Sequence, residues 1–156
     1  MDRFLYRLAT LFGVGKLPRA PGTWGSLAAL IIAVPLLHYI TWPIFIGLTA
    51  VLFMLGIAAA DVHAKKTGEP DSPKVVIDEL VGQWIALFPL ALVVPFGDLR
   101  WAVLLAFVLF RALDILKPWP IRRLEKKPGG GLSVMLDDAV AGIMAAAILY
   151  LVGIYL

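Results

Sequence analysis

Polar and apolar positions along this chain fall into long blocks, not short alternations. No charged residue occurs from Leu27 to Ala60, from Leu80 to Gly97 or from Ala139 to Leu156. An 18-residue helix rises about 27 Å against a hydrocarbon core of about 30 Å, so these blocks predict membrane helices. The first block is too long for one helix and is interrupted by "ITWP", Ile40 to Pro43, which predicts a hairpin of two. A third helix is expected from Asp78 to Phe96 and a short turn over Gly97 to Arg100. A fourth then runs from Trp101 to Lys117, where "KPWP" stops it, and a fifth runs from Asp137 to the C-terminus. Near the start, Phe4, Leu5, Leu8, Leu11 and Phe12 recur at helical spacing with Arg3 and Arg7 on other faces. This suits a short helix in the membrane interface, and equally an ordinary packing helix. The stretch lacks the long apolar core of a signal peptide. The expected fold is an all-α polytopic membrane bundle of about five embedded helices plus a short N-terminal interfacial helix, in one domain over residues 1–156.

Composition points the same way. The 156 residues are 61% hydrophobic and 16% charged, whereas water-soluble domains carry about 25% charged residues. A soluble bundle with a greasy core is the competing reading, but the uncharged stretches offer no polar helix face. The absence of cysteine excludes disulfides, thiolate metal sites and cysteine-based phosphatase chemistry. With the helices laid out as above, thirteen of the fourteen Lys and Arg residues fall on one side and only Arg100 on the other. The positive-inside rule makes the charged side cytoplasmic. Ten of the eleven acidic residues share it, which describes a one-sided reaction surface.

Two acidic pairs, Asp78 with Glu79 and Asp137 with Asp138, each precede an apolar run. One carboxylate is enough to cap a helix and favour its dipole, at about 0.5–2 kcal/mol. Two pairs opening on one membrane face can instead converge as a hard-oxygen site for Mg²⁺. "FRALDILKPWPIRR" adds Arg111, Asp114 and Lys117 at intervals of three along one helical face. Either Arg111 and Asp114 form a structural ion pair, or the cations grip a phosphate while Asp114 orients them or binds metal. In "LPRAPGTWGSLAAL", Arg19, Thr23 and Ser26 accompany glycines just before a helix, where backbone N–H groups can meet an anion. "PGGGLS" reads as a hinge or as a second phosphate cradle. His63 reads as solvated, His38 as a packing residue and Trp119 as an interfacial anchor.

Taken together, "PGTWGSL", Asp61 with "VIDELVGQW", "FRALDILKPWPI" and "GGGLSVMLDDAVAG", in this order, resemble the phosphatidylglycerophosphatase A family of bacterial membrane phosphatases. The resemblance implies Mg²⁺-dependent hydrolysis of phosphatidylglycerophosphate to phosphatidylglycerol and phosphate at the cytoplasmic face of the inner membrane. It implies Asp61, Asp78, Glu79, Asp137 and Asp138 as the acidic, metal-binding site. Arg111, Asp114 and Lys117 stand beside it, and Arg122 joins Arg19, Thr23 and Ser26 as a substrate contact. Membrane lipids are the implied surroundings, and no nucleic-acid partner is expected. The chain departs from a common form of the family at Ser133, where glycine is usual, and at Gly129, near which histidine occurs. A metal-activated water with a carboxylate base and an aspartyl nucleophile both remain open. The rival from another class is a secondary transporter or proton-coupled channel using the buried acids and Arg111. It would need charges near the midplane with access from both sides.

Overall fold

The computed structural model describes residues 1–92, 99–121 and 130–155, and among them every regular element is a helix. Helix α1 (Asp2–Ala9) leads through a 3₁₀ segment (Leu11–Lys16) to α2 (Pro21–Tyr39). Then come α3 (Trp42–Thr67), α4 (Ile77–Ala86), the single turn α5 (Pro89–Leu92), α6 (Leu99–Leu116) and α7 (Gly130–Tyr155). Three of these, α2, α3 and α7, are long and apolar enough to cross a membrane. Helix α6 has 18 residues but carries Arg100, Arg111 and Asp114.

The hairpin forms where the pattern placed it, with α2 ending before Ile40 and Pro43 lying in the first turn of α3. Helix α3 stops at Gly68, whose φ of 74° lets its N–H reach Ala64 O at 2.8 Å. Three boundaries differ from expectation. The third helix ends at Ala86 and does not continue to Phe96: Pro89 has no N–H to give, and the chain tightens through Leu87 N–H to Trp84 O and Phe88 N–H to Ile85 O. Residues 93–98 lie outside the described set. Helix α7 begins at Gly130, so Asp137 and Asp138 sit about two turns inside it and cannot be its caps. Helix α2 begins at Pro21, which puts Gly22, Thr23, Gly25 and Ser26 within the helix and not in a loop before it.

Short helix α4 is the hub. It is enclosed by α2, α3, α6 and α7, with Ile77, Leu80, Val81, Gln83, Trp84 and Ala86 all buried. Lipid is as apolar as leucine, so helices in a bilayer associate through close contact more than through exclusion of water. The α4–α7 seam shows it: a Cβ on Gly142 would stand 2.4 Å from Gly82 O. Trp84 ties α4 to α2 by donating its indole N–H to Ala29 O at 3.0 Å. Ile31, Met54, Ile143 and Leu151 point outward, as a lipid-facing surface requires.

The charged ends of α1, α3 and α4 meet on one side. Val76 N–H donates to Ala9 O at 2.8 Å, and Lys66 Nζ to Asp2 O at 3.3 Å, which draws α1, the end of α3 and the start of α4 together. Helix α1 buries Leu5, Leu8 and Ala9 against the bundle and leaves Phe4 exposed. His63 is fully buried, contrary to the solvated reading: its ring stacks on Tyr6 with centroids 5.1 Å apart. Tyr6 comes from α1, so nothing near residue 63 in the sequence announces this.

Candidate active site

The acidic pairs converge. Asp78 and Glu79 occupy the first turn of α4, and Asp138 faces them from α7. One carboxylate oxygen from each of these three lies within 4.8 Å of the others. Asp114 of α6 lines the same cavity as Asp138. A cavity of about 300 Å³ opens here, walled by Pro70 to Pro73, Asp78, Glu79, Asp114, Lys117, Gly130, Ser133, Asp137 and Asp138 among others.

The cations take up the two adjoining positions. Arg111 donates through Nη1 to Asp114 Oδ2, the ion pair that the spacing allowed. Lys117 lies one residue beyond α6 and donates to Asp137 Oδ2 at 3.1 Å. Its φ of 43° puts it in the left-handed region, where the chain leaves the helix ahead of Pro118. Asp137 is thereby engaged by Lys117, and it is Asp138 that completes the close acidic trio.

Five carboxylates, Asp78, Glu79, Asp114, Asp137 and Asp138, thus face Arg111 and Lys117, an excess of three negative charges if all are ionised. Several of their oxygens have nothing to bind: Glu79 Oε2, Asp137 Oδ1 and Asp138 Oδ2 are buried without a hydrogen-bond partner. A hard dication fits this donor set, because it binds carboxylate oxygens and offsets their repulsion. Ligand oxygens around Mg²⁺ stand at most about 4.2 Å apart, so small side-chain adjustments bring the trio within reach.

Other residues singled out in the sequence stand elsewhere. Asp61, on α3, is not in the trio: its Oδ1 accepts the Gly131 N–H at 2.7 Å, which caps the start of α7 from a neighbouring helix. Ser26 is buried and donates its hydroxyl to Gly22 O at 3.0 Å, and Thr23 N–H is taken by Ala20 O, so neither reaches the cavity. Arg19 is exposed and does not line it, and Arg122 lies outside the described residues. The glycine run contributes Gly130 to the cavity wall and Gly131 to the first turn of α7; residues 128 and 129 are outside the described set.

Two features escaped the sequence reading. Gln83 is wholly buried one turn along α4 from Glu79, and both ends of its amide lack a partner. A lone amide in an apolar run was the available signal. The wall formed by Pro70 to Pro73 carried none, because its place beside the acids depends on how α3 and α4 pack.

The family described as phosphatidylglycerophosphatase A matches residues 7–153 of the chain. A phosphatidylglycerophosphatase A of Escherichia coli (strain K12) is 40% identical over 146 residues, covering 94% of this chain and 81% of that protein. One from Haemophilus influenzae is also 40% identical, over 94% and 86% of the two chains. A Bacteroides thetaiotaomicron protein named "Putative phosphatidylinositol-3-phosphatase" is 43% identical over 87% of this chain and 85% of its own. No solved structure matches the chain.

Proposed function

Since the chain belongs to the phosphatidylglycerophosphatase A family, we propose that it removes the terminal phosphate of phosphatidylglycerophosphate to leave phosphatidylglycerol. It is a phosphoric monoester hydrolase. The observation that carries the reading is the cavity of opposed carboxylates and cations at one end of an apolar bundle. A lipid phosphomonoester needs both, with hydrocarbon beside its tails and a polar pocket for its head. The charges gather at one end of the helices, which does not favour the transporter reading.

The cofactor of this proposal is Mg²⁺, held by Asp78, Glu79 and Asp138. When bound it supplies positive charge to the phosphate oxygens and lowers the barrier to attack by water. A phosphate dianion entering without it would meet the excess of carboxylates. Lys117, held by Asp137, and Arg111, held by Asp114, grip the phosphate. Asp137 Oδ1, buried and unpartnered, accepts a proton from the attacking water as the bond from phosphorus to the glycerol oxygen breaks. The released glycerol oxygen takes up a proton from solvent, which balances the step.

In the same reading residues 1–156 form one domain, with α6 and the α4–α5 pair embedded beside α2, α3 and α7. Helix α1 lies at the interface, and the acidic end of the bundle faces the cytoplasm across a bacterial inner membrane. The test is phosphate release by the purified protein in detergent, with and without Mg²⁺. Phosphatidylglycerophosphate and phosphatidylinositol 3-phosphate would be compared as substrates. Turnover of the first that requires the metal is expected, and no turnover with any divalent cation would overturn the reading.

A further inference from the structure

Helix α2 contributes no side chain to the cavity, yet its second residue touches the acidic centre. A Cβ on Gly22 would lie 2.2 Å from Glu79 Oε1 and 3.1 Å from both terminal nitrogens of Arg111. The first distance is one that real side chains do not adopt. Glu79 and Arg111 therefore rest against bare backbone at this point, where α2, α4 and α6 meet. We infer that Gly22 is a positioning residue: by lacking a side chain it fixes where the Glu79 carboxylate stands relative to Asp78 and Asp138.

The surroundings leave α2 little room to yield. One turn on, a Cβ on Gly25 would stand 2.9 Å from Val76 Cβ, so the two backbones are already in contact. Two turns on, the Trp84 indole is bonded to Ala29 O. Helix α2 is thus pinned to α4 on the far side of Gly22, and a methyl group at position 22 must be accommodated by the side chains it meets. Oε1 of Glu79 is the nearest atom and ends a flexible chain, so the carboxylate moves. Its other oxygen is buried and unpartnered, with no protein hydrogen bond to hold it in place. A displacement of about 1 Å at a reacting centre costs on the order of hundredfold in rate.

The inference rests on the acidic centre of the proposed function but can be read without turnover. The experiment compares Gly22→Ala, Glu79→Asp and the double variant, with Gly25→Ala as a glycine of the same seam whose Cβ would meet Val76 first. Two quantities are measured: the rise in melting temperature on adding Mg²⁺ to substrate-free protein, and kcat/KM with phosphatidylglycerophosphate. Gly22→Ala is expected to raise the Mg²⁺ midpoint and lower kcat/KM about hundredfold. Glu79→Asp withdraws the carboxylate by one methylene, so it harms the parent chain but improves both quantities in the Gly22→Ala background. It does not rescue Gly25→Ala. A Gly22→Ala protein with the parent Mg²⁺ midpoint, or a double variant that merely adds the two losses, would overturn the inference. If Gly22→Ala fails to fold, restoration of folding by Glu79→Asp supports the clash and failure of the double variant overturns it. Cation-linked rescue without any hydrolysis would sink the proposed reaction while supporting the role of Gly22.

Discussion

Lys117 Nζ stands 3.1 Å from Asp137 Oδ2, and it reaches there from a left-handed backbone position that glycine would occupy more cheaply. A residue kept at a strained φ for its side chain is expected to trade stability for function. Lys117→Gly should melt no lower than Lys117→Ala, because glycine relieves the backbone. Both should bind substrate and inhibitory phosphate about tenfold to hundredfold more weakly, the equivalent of a charge-assisted contact of about 1.5–3 kcal/mol. Phosphate inhibition that is unchanged in both variants would assign Lys117 to structure alone.

The two aspartates of α7 are expected to behave differently. Asp138→Asn and Asp78→Asn should each reduce turnover by more than about hundredfold and weaken the Mg²⁺ response, beyond what outer partners of a metal usually cost. Combining them should be hardly worse than either, since they act as one unit. Asp137→Asn should leave the Mg²⁺ midpoint closer to that of the parent and act through Lys117 and proton transfer. Mg²⁺ titrations of activity and of melting temperature separate these outcomes, and equal midpoints for all three variants would contradict the division of roles.

Asp61 should report as a cap. Asp61→Ala loses the acceptor for Gly131 N–H and is expected to cost about 0.5–2 kcal/mol of stability, whereas Asp61→Asn keeps an acceptor and should cost less. Neither should shift the Mg²⁺ midpoint of the folded protein. A large shift in Asp61→Asn would place this carboxylate among the metal ligands after all.

The absence of cysteine makes orientation testable by labelling. Tyr39→Cys, at the exposed hairpin end, should react with a membrane-impermeant thiol reagent in intact cells. Lys66→Cys, near the end of α3, should react only after permeabilisation. The reverse pattern would invert the bundle.

The hairpin at Ile40 and Thr41 and the gathering of acids at one end were legible because both follow from where charge and proline fall. Proline at position 89 was equally visible, but an unbroken absence of charge is a statement about solvent and not about helix continuity. The start of α7 was hidden for a different reason. Gly130 and Gly131 read locally as breakers, yet a Cβ on Gly131 would lie 2.1 Å from Ile57 O, so glycine there serves the approach of α7 to α3. That need exists only once the two helices are packed. The same holds for His63, whose partner is a ring from α1, whereas Ser26 bonds a carbonyl of its own helix and was misplaced only because α2 starts earlier than expected. For the acidic centre, sequence supplied the residues but not the assignment between Asp137 and Asp138, which depends on the rotation of α7 about its axis.

The bond from Asp61 to Gly131 gives that rotation a point of reference. Asp138 follows Gly131 by seven positions, which in a continuous helix span about 10 Å at a fixed angle. The interval works as a ruler whose zero is set at Asp61 and whose mark is read against Asp78 and Glu79. One extra alanine within it would turn Asp138 by about 100° away from its partners while leaving the composition of the site untouched.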